Sequence, residues 1–366
     1  MNNPLRRLGD LGQSIWYDYI TRDLFTSGEL KRLIAEDGLR GMTSNPTIFE
    51  KAIAGSRLYD DDIRRLSDLG KSAAETFESL AVADVRAACD AFMPLYRESN
   101  GADGYVSLEV SPRLASQADA TAREAERLWE AVGRPNAMIK IPGTSAGLAA
   151  ITRSIEGGIN VNVTLLFAVE RYAEVIEAFV QGLERRLDRG LPIQSIASVA
   201  SFFVSRVDGK IDPILDRRSV PALRGKIAIA NACIAYETFR KSLASERWER
   251  LSRVGARPQR PLWASTSTKD PQYPDVYYVE ALVAPDTVDT LPPETLEAYR
   301  DHGSPSVRIH EGIAAAPAQL AALAQSGVDL QVITRELEEE GVAKFAASHT
   351  AVLAGIDTKA GMLAAR

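Results

Sequence analysis

Lys140 is the residue of this chain whose type and setting most readily allow covalent chemistry. It stands between Ile139 and Ile141 in Ala137-Met-Ile-Lys-Ile141, a segment with no other charge. Apolar surroundings disfavour an ammonium, and the neutral amine is a nucleophile toward a carbonyl carbon. In Tyr105-Val-Ser-Leu-Glu-Val110, the residues Val106, Leu108 and Val110 share one face and leave Ser107 and Glu109 on the other. In Ile159-Asn-Val-Asn-Val-Thr-Leu165, aliphatics alternate with Asn160, Asn162 and Thr164. Asp18 shares a face with Trp16 and Ile20, and Ser201 with Phe203. Burying such a set is costly unless its members pair with one another or with a ligand.

Each residue also has a plainer reading. Lys140 and Glu109 can form a structural ion pair. Asn45, just before Pro46, reads first as a helix N-cap. Asn162 and Thr164 can be ordinary strand polar residues, although two on one inner face are harder to dismiss. Arg206 and Lys269, each just past a strand end, are either solvated surface charges or a phosphate clamp.

The elements that must position these groups are strands followed by capped helices. β-Branched and aromatic clusters predict strands near Ser14–Ile20, Leu39–Ser44, Tyr105–Val110, Ala137–Ile141, Ile159–Leu165, Ser195–Val204, Pro261–Thr266 and Thr287–Leu291. Thr26-Ser-Gly-Glu29 reads as a capping box for a helix closed by Gly38, and Asn45-Pro46 starts another. Ala118–Val132 ends at Gly133, and Ser145–Glu156 ends at Gly157-Gly158. Extra helices fall in the gaps before Tyr105 and Pro261, including Ala222–Ser245, and Asp329–Leu363 adds one or two more. Eight alternations in one chain call for a parallel sheet closed as a (β/α)8 TIM barrel. The expected domain organisation is one barrel domain over residues 1–366, with 292–366 a mainly helical C-terminal extension. In such a barrel, catalytic groups sit at the C-terminal ends of the strands, on the inner face.

Composition narrows the function classes. The 366 residues carry 43 Lys and Arg against 49 Asp and Glu, a formal net charge of −6. That balance, with no basic block, argues against nucleic acid or a membrane surface as partner. No apolar run reaches the roughly 18 residues of a spanning helix, and the start, Met1–Arg7, does not resemble an export signal. Cys89 and Cys233 sit in Ala-rich helical runs and read as core residues of a protein in a reducing compartment. A cytoplasmic enzyme is the expectation.

Five segments then become recognisable together. Gly41-Met-Thr-Ser-Asn-Pro46, Ser107-Leu-Glu-Val110, Met138-Ile-Lys-Ile141, Asn162-Val-Thr-Leu-Leu-Phe167 and Ser201-Phe-Phe-Val-Ser-Arg206 resemble, in this order, the motif series of the transaldolase family. The resemblance runs from about Ile15 to Pro271, and Trp263-Ala-Ser-Thr-Ser-Thr-Lys-Asp-Pro271 is similar to the longer bacterial branch. It implies a transferase of the non-oxidative pentose phosphate pathway that needs no metal or other cofactor. Such an enzyme moves a dihydroxyacetone unit from sedoheptulose 7-phosphate to glyceraldehyde 3-phosphate, giving erythrose 4-phosphate and fructose 6-phosphate. By the same resemblance Lys140 is the Schiff-base lysine and Asp18 the acid/base at the C4 hydroxyl. Glu109 and Thr164 hold the proton-shuttling water. Asn45, Asn162 and Ser201 bind the dihydroxyacetone hydroxyls, and Arg206 binds phosphate. Where many members carry Arg at the second phosphate position, this chain has Lys269. The related fructose-6-phosphate aldolases carry Gln at the Glu109 position and Tyr at the Phe203 position, so Glu109 and Phe203 favour the transferase. Sugar phosphates are the implied partners, with a homodimer as the candidate assembly.

Other motifs compete. Gly143-Thr-Ser-Ala-Gly147 matches a nucleophile elbow, which would pair Ser145 with His302, His310 or His349 in a serine hydrolase. A helix N-terminus built from small residues is the plainer reading. Gly70-Lys71-Ser72 imitates the end of a P-loop, but Arg65 stands where the upstream glycine is needed. A fructose-6-phosphate aldolase-type activity is the nearer alternative. A catalytically dead sugar-phosphate binder is disfavoured by the presence of Lys140, Glu109 and Asp18 together.

Overall fold

The computed structural model describes residues 3–365. Eight strands, β1 (Gln13–Tyr17), β2 (Gly41–Met42), β3 (Tyr105–Glu109), β4 (Ala137–Pro142), β5 (Val161–Leu166), β6 (Ser198–Phe203), β7 (Arg260–Ala264) and β8 (Thr287–Leu291), close in sequence order into a barrel. The pairs are parallel throughout, including β1 with β8, as helical crossovers on one face require. The fold is therefore the (β/α)8 TIM barrel with additional helices. Each strand overlaps the segment its β-branched cluster predicted, with ends shifted inward or outward by up to three residues. β2 is shortest because Ser44 turns its hydroxyl onto the Ser107 carbonyl (2.7 Å) and Asn45 begins a helix.

Inner and outer faces are fixed by one chain of hydrogen bonds. Asn162 Nδ2 donates to Ser107 Oγ (2.9 Å), and Ser201 Oγ donates to Asn162 Oδ1 (2.7 Å). By alternation, Asp18, Glu109, Lys140 and Thr164 point into the same interior, one step nearer the C-terminal rim or level with it. Trp16, fully buried, occupies the inner face below Asp18. A Cβ on Gly41 would lie 2.5 Å from its indole ring, so the neighbouring strand must carry glycine there.

Caps follow local chemistry, with one correction. Thr26-Ser-Gly-Glu29 is not a capping box. The Thr26 hydroxyl turns back onto the Arg22 and Asp23 carbonyls, ending a short helix Arg22–Thr26. Gly28 (φ 82°) then starts the helix Glu29–Glu36 without a side-chain cap. The reciprocal box occurs at Ser72 and Glu75, where Gly70-Lys71-Ser72 starts the 26-residue helix Ala73–Glu98. Asn45 does cap its helix, accepting from Ile48 N at 3.0 Å with Pro46 in the first turn.

Past β8 come helices Pro293–His302, Ile309–Gln325 and Leu330–Ala364. The last is a single 35-residue helix, capped by Asp329. Lys210 holds Glu336 (2.8 Å) and Glu340 (2.5 Å), Ser348 meets Thr47 (2.8 Å), and Lys359 meets Asp60 (2.8 Å). At Gly341 a Cβ would approach Leu165 Cδ2 to 2.9 Å, so the helix passes directly over the end of β5. Cys89 and Cys233 are buried and unpaired. Among the described residues no helix is long and apolar enough to cross a membrane.

Candidate active site

A cavity of about 560 Å³ opens at the C-terminal ends of the strands, lined by Asp18, Asn45, Lys140, Ser201, Phe203, Arg206 and Lys269 among others. Parallel register creates its floor. Glu109 pairs with Lys140 between β3 and β4, and Lys140 with Asn162 between β4 and β5. Three polar side chains thus stand abreast on adjacent strands, each flanked along its own strand by residues buried in the core.

Lys140 is 4 % exposed. Its Nζ donates to the Ser44 carbonyl at 3.2 Å and lies 3.7 Å from Glu109 Oε2. The Phe345 ring, on the terminal helix, covers it at 5.9 Å. Neither Glu109 oxygen has a hydrogen-bond partner, and both are buried. Burial pushes the Glu109 carboxyl up to about 7, with the Lys140 charge opposing the shift. The Thr164 hydroxyl is likewise buried without a partner. Asp18 follows β1, its N–H held by the Leu291 carbonyl at 2.9 Å. Burial raises its carboxyl above the ordinary range, and Lys140 and Arg206 draw it back. Two carboxyls thus face one lysine, each favouring a proton more than a free carboxyl does, and Glu109 is placed to move protons near neutral pH.

The strand ends are irregular where the site needs it. β5 shifts register between Val163 and Leu166, and Leu165 adopts φ 60°. That kink leaves Thr164 and Leu165 unpaired with β6, pairing resumes at Leu166 opposite Phe202, and Asn231 Nδ2 holds the Phe167 carbonyl at 2.7 Å. Arg206, in the first turn of the helix Ser205–Arg217, lays its guanidinium over the Phe203 ring at 5.0 Å. Lys269 Nζ donates to Ser267 Oγ at 2.7 Å.

The predicted site residues fall at this end of the barrel, whereas Asn160 sits at the other end of its strand, where it bonds the Pro135 and Ala137 carbonyls (2.9 and 3.0 Å) and Ala197 N (2.9 Å). Asp18, Asn45, Lys140, Ser201, Phe203, Arg206 and Lys269 line the cavity. Glu109 and Asn162 stand level with Lys140 on the neighbouring strands, and Thr164, opposite Pro142, stands one step nearer the rim. Sequence reasoning missed Thr43, Lys344 and Phe345, which also line it. Thr43 was visible inside Gly41-Met-Thr-Ser-Asn-Pro46; nothing local marks Lys344 or Phe345. The nucleophile elbow dissolves. Thr144 caps a helix through Gly147 N (3.1 Å), and Ser145 accepts from Arg171 (2.8 Å). His302 is bound to Asp275 (2.8 Å) and Asp301 (3.2 Å).

The model of the transaldolase/fructose-6-phosphate aldolase family matches residues 15–356. This chain belongs to that family. It is 46 % identical over 372 residues to a transaldolase of Trichodesmium erythraeum, covering 98 % of each chain. It is 48 % identical to one of Frankia alni, over 99 % of this chain and 98 % of that one. With a transaldolase of Acidothermus cellulolyticus it shares 49 % over 97 % and 96 %. These relatives support the transaldolase reading, and with it the transferase class, over the aldolase alternative. The family match also extends well past Pro271, where the motif resemblance stops, and so takes in most of the terminal helix.

Proposed function

We propose that the protein transfers a dihydroxyacetone unit from sedoheptulose 7-phosphate to glyceraldehyde 3-phosphate through a Schiff base on Lys140. The observation that carries this reading is the buried amine of Lys140 set in register between Glu109 and Asn162. The amine attacks the donor's C2 carbonyl, and loss of water leaves an imine whose protonated form draws electrons from the C3–C4 bond. Glu109 and the Thr164 hydroxyl, both free of protein partners, hold the water that carries protons in and out. A carboxyl that titrates near 7 can donate one in dehydration and accept one in hydrolysis.

Asp18 takes the proton of the C4 hydroxyl as C3–C4 breaks and erythrose 4-phosphate leaves. The enamine adds to the aldehyde carbon of glyceraldehyde 3-phosphate, Asp18 returns the proton to the new hydroxyl, and hydrolysis frees fructose 6-phosphate. Asn45, Asn162 and Ser201 orient the dihydroxyacetone hydroxyls before reaction. Asn162 and Ser201 already hold each other at 2.7 Å, so their rotamers are set in advance. Asn45 does double duty, because its Oδ1 caps a helix while the residue lines the cavity. Phe203 supports Arg206, which binds phosphate with Lys269. A cytoplasmic location is the companion proposal, supported by two buried free cysteines.

A coupled assay with sedoheptulose 7-phosphate and glyceraldehyde 3-phosphate tests the reading. Turnover by the wild type and none by Lys140→Ala is expected. No turnover by the wild type, or full turnover by Lys140→Ala, overturns it.

A further inference from the structure

The rim of the cavity carries more positive charge than its walls neutralise. Lys51, Arg206, Lys269 and Lys344 all line it, and none is within ion-pair distance of a carboxylate among the described residues. This is unusual for a chain of net charge −6, in which exposed arginines are widely paired. The lining carboxylates do not relieve it. Glu340 is engaged by Lys210, and Asp18 lies on the first strand's end, facing Lys140 and Arg206 together. Glu294 is the remaining acidic wall residue.

Lys344 is the unexpected member. It comes from the terminal helix, 75 positions beyond Lys269 in the numbering, and its placement is built by the fold. Lys210, one turn along from Arg206 on the same helix, grips Glu340, one turn before Lys344 on its own. That clamp holds the two helices together and brings both cations to the same cavity. Gly341 lets the helix backbone approach Leu165 closely enough to bring Lys344 within reach. The Lys344 ammonium is held below its ordinary range, first by the Arg206 charge, then by burial, Lys269 and Lys51. Like charges crowded in this way are stabilised by a dianion and by little else.

We propose that Lys344 is a specificity-determining residue that binds the terminal phosphate of the sugar substrate together with Arg206 and Lys269. The inference rests on the Schiff-base reading for the identity of the sugar, but not for the anion site itself. Donors of six and seven carbons, both fixed to Lys140 at C2, place their phosphates at distances that differ by about one C–C bond, roughly 1.5 Å. A bidentate arginine fork alone fits one distance. Two lysines on flexible stems, one following the seventh strand and one on the terminal helix, follow the phosphate between both positions. This also gives a reason for Lys rather than Arg at position 269.

The test compares wild type with Lys344→Ala and Lys344→Arg. In Lys344→Ala the KM for fructose 6-phosphate rises about tenfold or more while kcat changes far less, as expected for loss of a charge-assisted contact. Lys344→Arg recovers most of that loss. Borohydride trapping of dihydroxyacetone, which lacks phosphate, on Lys140 proceeds at the wild-type rate in Lys344→Ala. Inorganic phosphate, followed by its thermal shift, binds the wild type and binds Lys344→Ala more weakly. Equal losses with phosphorylated and unphosphorylated ligands, or unchanged KM and phosphate binding, would overturn the proposal. If the wild type shows no transfer yet Lys344→Ala weakens inorganic phosphate binding, the proposed reaction fails and the anion site stands. If transfer proceeds and phosphate binding is unchanged, the reverse holds.

Discussion

Two buried carboxyls in this protein, Glu109 and Asp208, are pushed by burial to the same point, about 7. Their surroundings could hardly differ more. Asp208, on the helix Ser205–Arg217, uses both oxygens: Oδ1 accepts from Ala228 N at 2.8 Å and Oδ2 from the Tyr278 hydroxyl at 3.0 Å. Glu109 uses neither, and its nearest charge is Lys140 at 3.7 Å. A displaced pKa therefore does not distinguish these two carboxyls; unspent hydrogen-bonding capacity does. Asp208 ties a helix to its neighbours. Glu109 keeps both oxygens without a hydrogen-bond partner beside Lys140. Leaving such a group unsatisfied costs stability, which the surrounding core supplies.

That contrast can be broken most severely at the amine. Lys140→Ala removes the nucleophile, and transfer should fall by at least about 10⁴-fold, with the fold retained by circular dichroism. Glu109→Gln comes next. Its rate should drop roughly 10²–10³-fold, and the limb of the pH–rate profile near 7 should disappear. Because the folded Glu109 binds its proton more tightly than the unfolded chain does, ionising it destabilises the fold as pH rises through about 7. Glu109→Gln, which cannot ionise, should accordingly be at least as stable as wild type at pH 8 by chemical denaturation.

Asp208→Ala sharpens the other side. It strands the Ala228 N–H and the Tyr278 hydroxyl, at about 1–3 kcal/mol for each donor left buried without a partner. The folded fraction should keep its kcat. The smallest effect is expected at Asp289, an intermediate case. Thr266 occupies one of its oxygens at 2.9 Å and the other is free, and burial pushes the carboxyl up to about 8. Asp289→Asn keeps the bonded oxygen and removes the titration. Relative to wild type it should gain stability progressively as pH rises from the ordinary carboxylate range through about 8, with no gain below that range. Melts at pH 4 and pH 9 check the sign.

Much of this was readable from the sequence because it is local. Alternation alone separated Glu109, Lys140, Asn162 and Thr164 from the outward aliphatics, and a parallel barrel turns that alternation into one shared interior. Asn45 was harder, since an N-cap and a substrate contact use the same residue. The capping box at Thr26 failed because the Thr26 hydroxyl had a competing partner in its own preceding turn. Lys344 and Phe345 were invisible for a different reason. In Glu338–His349 they look like part of an ordinary mixed helix, and their meaning comes from contacts that helix makes with Lys210, Thr47 and Leu165, far away along the chain.

The central claim is that Lys140 carries the substrate covalently. Wild-type protein incubated with fructose 6-phosphate and reduced with borohydride should gain the mass of one reduced adduct, located by peptide mass spectrometry on the peptide holding Lys140. Lys140→Ala should gain none. Label on a different lysine, or equal labelling of Lys140→Ala, would contradict it.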